Sequence, residues 1–313
     1  MRILHVRNVA NVGATLASAQ SALGHDSRCI QLVKSRHGFS GDVNLDLPAS
    51  YRWTGAPSRL RAMRKAIEGM GRLDVYHIHD GGLLPAGLDV ATWFKRRGLA
   101  CVHWHGTKLR GGGRWLSRLA DMEVVSTPDL LKFAPRAEWV PMPIDLGAYA
   151  PSAGRGEGAG EVVRAVHAPT NRALKGTGQI IAALEELRRE GCRVELEVVE
   201  NRPRAEAVAA LARADIVIDQ LNPAIGTYGM VSVEGMALGK PVVCHLDGRY
   251  AGFFKDCPIA SPGRGGLKEA VRSLAEDDAA RSSLGRRGRA YVEKVHDSRA
   301  IAKRLVSMYE GLQ

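Results

Sequence analysis

The chain is 313 residues long, with 45% hydrophobic and 25% charged residues, which is ordinary for a globular protein and enough for two domains. No apolar run is long enough to span a membrane, and the first residues open a strand rather than a secretory signal, so we expect a cytoplasmic protein. The formal net charge of +11 favours anionic partners. No zinc-finger spacing, RNA-recognition signature or recognition helix accompanies that charge, so we expect no nucleic-acid partner.

The cysteines are scattered and odd in number, with no C-x-x-C spacing. Four of them follow or sit within apolar strand-like runs or loops. This pattern favours buried thiols in a reducing cytoplasm over disulfides or a zinc site. The five are Cys29, Cys101, Cys192, Cys244 and Cys257.

The first half opens with the strand, loop and helix of a Rossmann-like domain. Arg2–Val6 predicts a strand, 8–13 a tight small-residue turn, and Ala14–Leu23 a helix. The turn lacks the full G-x-G-x-x-G spacing, so the dinucleotide fingerprint is not met. Asp26–Val33 predicts a second strand, and the polar, glycine-containing segment 34–51 is predicted to be irregular.

A basic amphipathic helix is predicted over Pro57–Gly69. One interpretation is a solvated basic face on a helix that packs against the core. The other is attachment to anionic lipid, which would make the protein peripheral on the inner face of the cell membrane. The apolar stripe is Leu60, Met63, Ile67 and Met70, and the basic residues are Arg59, Arg61, Arg64 and Lys65.

Two further strands each carry a histidine inside the strand and another at its exit. His77 and His103 lie within the strands, while His79 and His105 follow their carboxyl ends. Ligands of doubly wound sheets gather beyond those ends, so His79 and His105 are placed to face a ligand. Nothing in their spacing points strongly to a metal site.

A run of basic residues follows the second of these strands, interrupted by one apolar pair. It is a candidate acceptor or membrane loop, and a solvated basic edge is an equal alternative. Further on, Ser152–Gly160 is glycine-rich and without periodicity, which is typical of an interdomain linker. The basic residues are Lys108, Arg110, Arg114 and Arg118.

The second half restarts the strand pattern at 162–167. Arg172 and Lys175 then precede a helix N-terminus together with Gly176, which makes a concentrated anion-binding corner. A strand at 194–199 follows, and Arg202 lies just beyond its exit.

The most informative stretch is 214–245, which predicts a strand, a loop with Gly226 and Gly229, a helix over about Val231–Leu238, and a second strand. Backbone N–H groups at that helix N-terminus favour an anion. Glu234, one turn into the helix, is suited to ribose hydroxyls. Strand, anion cradle and acid together suit a nucleotide.

The segment GMVSVEGMALGKPVV at 229–243 resembles the nucleotide-sugar site of the retaining family 4 glycosyltransferases. HWHGTKLR at 103–110 is similar to that family's HGSDLR-type loop, and VPMPID at 140–145 to its VPNGID segment. The resemblance implies an α/β protein of GT-B type, with two Rossmann-like, doubly wound parallel-sheet domains facing a central cleft. It implies an N-terminal acceptor domain at 1–148, a linker at 149–161, a donor domain at 162–297, and a helix at 298–313 that crosses back to the first domain.

The resemblance also implies roles for particular residues. His105 orients the reacting sugar or acceptor, while Arg172 and Lys175 grip the donor diphosphate. Glu234 holds the ribose. The other donor-binding residues are Gly226, Tyr228, Gly229, Met230, Val231, Arg202, Asn11 and Gly13, and the acceptor-binding residues are His79, Lys108 and Arg110.

The function implied is transfer of a sugar from a nucleoside-diphosphate sugar to a glycan, lipid-linked or small-molecule acceptor, with retention of anomeric configuration. No Asp-x-Asp pair is present, so we expect no metal and no other cofactor. The family pattern has a glutamate where this chain has Gly226, which predicts unusual sugar recognition. Two alternatives stay open: a nucleotide-sugar epimerase or hydrolase using Asp80 and Asp219, or a nucleotide-sugar-binding protein with impaired catalysis.

Overall fold

The structure is a computed structural model that describes residues 1–35, 37–47, 61, 64–80, 98–113, 115–118, 120–151, 162–263 and 266–312. The chain divides into two compact units. The first unit comprises Met1–Pro143 and Ser298–Gln313, and the second comprises Ile144–Asp297. The predicted linker Ser152–Gly160 lies outside the described residues, as does Arg114.

The first unit is built on a parallel sheet. Among the described residues it has seven strands in the order β3-β2-β1-β4-β5-β6-β7. The prediction that segment 34–51 is irregular is wrong in part, because Val43–Leu47 forms a strand that pairs with the preceding strand, Asp26–Val33. The strands are β1 (Arg2–Val6), β2 (Asp26–Val33), β3 (Val43–Leu47), β4 (Val75–His79), β5 (Leu99–Trp104), β6 (Met122–Val125) and β7 (Glu138–Trp139).

The second unit is built on a smaller parallel sheet. In the described part of this unit the strand order is β11-β10-β8-β9. In both sheets the order in which the chain adds strands reverses beside the first strand. These switch points lie between β1 and β4 and between β8 and β10. Ligands of doubly wound sheets bind beyond the strand ends at such switch points. The strands are β8 (Val163–His167), β9 (Val194–Val198), β10 (Ile216–Ile218) and β11 (Val242–Val243).

Helices cover the strands, and a further helical segment spans 64–68. No helix in the described ranges is both long and apolar enough to cross a membrane. The α-helices are α1 (Val12–Ala22), α2 (Thr107–Arg110), α3 (Arg172–Lys175), α4 (Thr177–Arg189), α5 (Arg204–Arg213), α6 (Met230–Ala237), α7 (Leu267–Glu276), α8 (Asp278–Val295) and α9 (Ser298–Glu310). Short 3-10 helices span Trp115–Arg118, Pro128–Lys132, Leu146–Ala148 and Gly248–Phe253.

Strand alternation separates the two faces of the first sheet. Ile3 packs with Leu16 of α1 and Leu305 of α9 on one face. Leu4 packs with Ile67 on the other face. Ile67 is therefore a core residue, as the first interpretation of the basic helix requires. Arg64, on the same helix, is exposed and pairs with Glu68.

All five cysteines are free thiols. Cys29, Cys101, Cys192 and Cys244 are buried, as the sequence predicted, and Cys257 is partly exposed. The second unit has its own core, formed by β8, β10 and α4 with α7 packed against them.

Candidate active site

The predicted anion cradle of the second unit is formed, and a carboxylate of the chain itself lies in it. Asp219 follows β10 and is buried. One of its oxygens accepts hydrogen bonds from the backbone N–H of Gly229 and from Ser232 Oγ, each at 2.8 Å. The other oxygen lies 2.6 Å from Nζ of Lys175. The helix N-terminus, a hydroxyl and a cation therefore converge on one anion.

The local sequence holds Lys175 at this point. Asn171 caps the short helix α3, because its side chain accepts from the backbone N–H of Leu174 at 2.9 Å. The carbonyl of Lys175 accepts from the backbone N–H of Leu221, two residues beyond the carboxylate. The lysine side chain is mostly buried. The backbone contact with Leu221 and the ion pair with Asp219 together fix the ammonium group of Lys175 in place.

The electrostatics of the pair favour the ionised acid. Burial would raise the pKa of Asp219, but the charge of Lys175 and the hydrogen bonds from Lys175, Ser232 and Gly229 hold that pKa below its usual range. The cradle therefore contains a buried ion pair rather than an unpaired cation.

The two arginines predicted to bind the donor make other contacts. Arg172 is exposed and pairs with Glu200 at 3.0 Å, so α3 directs its two cations to different acids. Arg202 is exposed and lies 3.8 Å from Glu206. The structure therefore brings Lys175, but neither arginine, to Asp219.

Glu234 is buried on α6, where its carboxylate forms an ion pair with Arg204 of α5. Arg204 also donates to the hydroxyl of Tyr149. Burial raises the pKa of Glu234, and Arg204 opposes that rise. The predicted ribose ligand thus sits in a polar cluster of the second unit, with an arginine that the sequence analysis missed.

The loop before α6 contributes backbone rather than side chains. Tyr228 is buried, and its hydroxyl lies 2.8 Å from His296 Nε2 and 3.1 Å from the hydroxyl of Tyr291. Its phenol therefore faces the core, and the donor contact predicted for the backbone amides from Tyr228 to Val231 stays a prediction. Met230 and Val231 begin α6, where helix geometry supplies no carbonyl for their N–H groups.

Gly226 has a physical reason to be glycine. Its φ is +64°, and an added Cβ would lie 2.5 Å from Cβ of Asp247. The backbone N–H of Asp247 donates to the carbonyl of Gly226 at 2.9 Å, which holds the two residues together. A glutamate at this position would require both a strained backbone and a displaced neighbour.

In the first unit, the loop after β1 lies at the switch point of its sheet. Arg7, Ala10 and Asn11 all have positive φ, so the loop is a strained turn. Gly13 permits it, because an added Cβ would lie 2.7 Å from the carbonyl of Arg7. Asn11 accepts from Asn8 at 3.1 Å, so its side chain stabilises the turn.

Five histidines of the first unit form a continuous cluster, and four of them are fully buried. His79 Nδ1 lies 2.8 Å from His105 Nε2, and His105 Nδ1 lies 2.7 Å from Ser126 Oγ. Both ring nitrogens of His105 are therefore already engaged within the unit. His5, which the sequence analysis did not single out, lies 3.0 Å from His79 Nε2.

Two groups in this cluster have ligand atoms within 4.8 Å of one another: His5 with His77 and His79, and His79 with His103 and His105. Neutral imidazole is a metal ligand, so the donor type fits a transition metal. The pairwise contacts argue otherwise, because a nitrogen that faces a second nitrogen at hydrogen-bond distance already has a partner. Our expectation of no metal therefore stays a prediction.

The two basic residues of α2 differ in their surroundings. Arg110 donates from Nε and Nη2 to one oxygen of Asp129, at 2.9 and 2.6 Å, and Asp129 is fully buried. The guanidinium therefore neutralises a buried acid, and the predicted acceptor role of Arg110 stays a prediction. Lys108 is exposed. Burial lowers its pKa and the charge of Arg7 lowers it further, while Asp80 opposes both.

Comparison with known proteins agrees with this geometry. Residues 166–307 match a family model described as glycosyl transferase-like, and that span contains Lys175, Asp219 and Glu234. No curated protein matches the chain in sequence. The comparisons therefore support a glycosyltransferase-like protein on the strength of its second half.

Solved structures match over almost the whole chain. An alpha-glucosyltransferase in complex with UDP-glucose and DNA containing an abasic site is 11% identical, with a TM-score of 0.68 over 98% of both chains. HepE of Anabaena in complex with UDP and glucose is 15% identical, with a TM-score of 0.64 over 99% of this chain and 100% of that one. The chain has the GT-B fold.

These matches correct one expectation. The alpha-glucosyltransferase has also been solved with UDP and a 13-mer DNA containing a HMU base, at 11% identity and a TM-score of 0.67 over 99% of both chains. Our exclusion of nucleic acid is therefore wrong, because it relied on missing DNA-binding motifs. A structure that matches over almost its whole length is a complex with DNA.

The residues that the sequence analysis missed share one property. Each acts through a partner far away in the sequence, so no local motif marks it. Asp219 was available as an acid at a strand end, but we assigned it only to the alternative epimerase. The others are Arg7, His5, Ser126, Tyr149, Arg204, Ser232 and Asp247.

Proposed function

We propose that this protein is a glycosyltransferase that transfers a sugar from a uridine diphosphate sugar with retention of configuration. The observation that carries the proposal is the cradle formed by Lys175, Gly229 and Ser232 around an anion at the switch point between β8 and β10. The glycosyl transferase-like match covers this cradle. The structures with UDP ligands share the fold, which supports the choice of donor.

Departure of the diphosphate is the step that the cradle is suited to assist. An ammonium group has three donors, and Asp219 takes one of those of Lys175, which leaves two for phosphate oxygens. The N–H groups of Met230 and Val231 add donors at the positive end of α6. Fixed donors of this kind stabilise the charge that grows on a leaving group. In this proposal Asp219 positions Lys175.

We place the nucleoside of the donor against Glu234. Its ion pair with Arg204 opposes the rise in pKa that burial causes, and an ionised carboxylate accepts hydroxyl hydrogen bonds well. We propose no enzymic nucleophile and no metal, so the leaving phosphate takes the proton of the acceptor. This is attack from the same face, and it retains configuration.

We further propose that the acceptor carries an anionic group. Arg7 and Lys108 are cations near the strand ends of the first unit, and the charge of Arg7 acts on Lys108. The net charge of +11 has the same sign. An acceptor attached to a phosphorylated lipid or to nucleic acid has this chemistry.

The decisive experiment incubates the purified protein with a panel of nucleoside diphosphate sugars, with and without anionic acceptors. Transfer that needs both donor and acceptor, persists in EDTA and gives a product with the donor's anomeric configuration by NMR supports the proposal. Conversion of the donor without acceptor would instead indicate an epimerase or hydrolase. Binding without any turnover would indicate a nucleotide-sugar-binding protein.

A further inference from the structure

We propose that five histidines of the first unit form a one-way hydrogen-bond chain that fixes the tautomers of His79 and His105 and so positions the acceptor side of the site. The role in positioning rests on the proposed function, and the chain itself does not. Its residues are His5, His79, His105, Ser126, His103 and His77, and it runs from Gln20 to Tyr309.

Strand register brings the rings together. His5 of β1 is level with His77 of β4, and His79 of β4 is level with His103 of β5. Residues two apart on a strand share a face, so all the rings project from the face that α1 and α9 cover. A face that is otherwise an apolar helix–sheet interface thus contains a row of polar rings.

Every ring nitrogen in the row has a partner within the unit, and His77 Nε2 also lies 3.9 Å from Cys101 Sγ. Three contacts join two rings each, at 2.8 to 3.0 Å. These contacts leave two separate runs of rings, and Ser126 Oγ joins them, at 2.7 Å from His105 Nδ1 and 3.0 Å from His103 Nε2. The row ends at Gln20 Oε1, 2.8 Å from His5 Nε2, and at the hydroxyl of Tyr309, 2.5 Å from His77 Nδ1.

The end at Gln20 sets the direction of the first three rings. An amide oxygen can only accept, so His5 donates to it from Nε2. A neutral imidazole has one N–H, which leaves His5 Nδ1 as an acceptor for His79 Nε2. By the same step His79 Nδ1 accepts from His105 Nε2, and His105 Nδ1 accepts from the Ser126 hydroxyl.

The end at Tyr309 gives the same direction. The phenol is the stronger donor of its pair, so it donates to His77 Nδ1. His77 then donates from Nε2 to His103 Nδ1, and His103 donates from Nε2 to Ser126 Oγ. The single proton of Ser126 is thereby left for His105 Nδ1. All five rings carry their proton on Nε2, with no conflict at any link.

The neutral state that this scheme needs is the one burial favours. Burial lowers the pKa of every ring in the row, to about 4 for His5 and His105. A buried polar network is stabilising when its members are satisfied, and here each ring is, while Gln20 Nε2 at one end is a buried donor that the row does not use. A metal would need several lone pairs to converge, whereas each lone pair here points at one N–H or O–H.

The consequence for the site is that the orientation of His105 is decided by residues far from it in the sequence. Its ring is held by His79 and Ser126, and its backbone N–H donates to Asp80 at 2.7 Å. Tyr309, on α9, reaches His105 only through the row. We therefore class Tyr309 and Ser126 as positioning residues.

NMR on wild-type protein with 15N-labelled histidine tests the chain directly. We expect three N–N couplings across hydrogen bonds at neutral pH, with Nε2 protonated and Nδ1 bare in every ring of the row. Missing couplings or the opposite donors would overturn the chain. A stoichiometric transition metal in the purified protein, measured by elemental analysis, would overturn it as well.

Kinetics test the positioning role. Ser126→Ala cuts the row, and Tyr309→Phe removes its terminal donor. We expect each to lower kcat roughly tenfold with the donor KM unchanged, because a slightly misplaced group slows the chemical step. Ser126→Thr keeps the hydroxyl and should restore the rate. Ser117→Ala is the matched control, because Ser117 bonds to Glu123 outside the row.

The outcomes separate the two proposals. Wild-type couplings without any sugar transfer would refute the proposed function and leave the chain intact. Couplings together with a normal kcat in both Ser126→Ala and Tyr309→Phe would refute the positioning role. Tryptophan fluorescence identifies a variant that has failed to fold, since every tryptophan of the chain precedes residue 144.

Discussion

Nζ of Lys175 lies 2.6 Å from Oδ1 of Asp219, and the other oxygen of that carboxylate accepts from the start of α6. The anion site predicted from the glycine-rich loop thus contains a carboxylate from the preceding strand end. A diphosphate bound at the same N–H groups would contact the ammonium group of Lys175, which is already oriented but paired with Asp219. The predictions for the second unit follow from this pair.

Replacing Lys175 by alanine should lower kcat at least 100-fold in the transfer assay. The reason is that loss of one preorganised donor to a developing negative charge costs about 10²–10³ in rate. Arg172→Ala is the matched control, because Arg172 is exposed and bound to Glu200. It should change kcat less than about tenfold, since exposed ion pairs contribute little. Equal losses in the two variants would mean that both cations contact the diphosphate.

Asp219→Ala should destabilise the second unit and make it responsive to anions. Breaking a buried ion pair costs about 3–5 kcal/mol, because the remaining charge is left unpaired. Pyrophosphate can take the vacated place, so it should raise Tm more in this variant than in the wild type. Calorimetry measures both effects, and Glu185→Ala, at an exposed position of α4, is the control. Equal pyrophosphate shifts in variant and wild type would show that the carboxylate does not occupy an anion site.

Much of the fold was predictable because periodic patterns are local. The bounds of β1 and β2 match the structure. β3 was missed because a short alternating run among polar and glycine residues resembles a loop. Its pairing with β2 is a tertiary contact that no local pattern records.

The candidate site was predictable in its backbone and less so in its side chains. Gly229 and Lys175 were identified because helix N-termini and their flanking residues are local features. The orientation of Arg110 was not, since a basic residue after a strand reads the same whether it faces solvent or a buried acid such as Asp129. The partners of His105 depend on strand register, and the hydrogen bond between His79 and His105 joins residues 26 positions apart.

Gly226→Ala should lower the free energy of unfolding of the second unit by at least about 2 kcal/mol, since positive φ alone costs about 1 kcal/mol and the close contact adds to it. The contact is 2.5 Å from the new Cβ to Cβ of Asp247. Urea unfolding followed by circular dichroism measures the change. Gly248→Ala is the control, because nothing lies within 4 Å of its added Cβ. Adding Asp247→Gly should recover the part of the loss that is due to the clash.

Arg110→Ala and Lys108→Ala should affect different properties. Removing Arg110 leaves the buried Asp129 without its ion pair, which costs about 3 kcal/mol of unfolding free energy. Lys108 is exposed, so its loss should leave stability within about 0.5 kcal/mol and instead raise the KM of an anionic acceptor. Tryptophan fluorescence during urea unfolding reports the first measurement, and transfer kinetics report the second. A stable Arg110→Ala variant with a raised acceptor KM would instead support the predicted acceptor role of Arg110.

The first unit should be sensitive to acid. Burial lowers the pKa of His5 and of His105 from 6.5 to about 4, and Asp80 only partly offsets this for His105. Between those values the unfolded chain binds more protons than the folded one, so stability is full above pH 6.5 and falls as the pH drops towards 4. At about pH 5 each histidine should lower the free energy of unfolding by about 2 kcal/mol, so the two together should lower it by about 4 kcal/mol.

Urea unfolding at pH 7 and pH 5, followed by tryptophan fluorescence, measures this loss in the first unit alone. The other three rings of the row also have lowered pKa values, so the measured loss should exceed that of the pair. Ligand-free protein must be used, because a bound nucleotide would add its own proton linkage. Unchanged stability over this interval would mean that the rings stay accessible to protons in the folded state, which the buried row of neutral histidines does not allow.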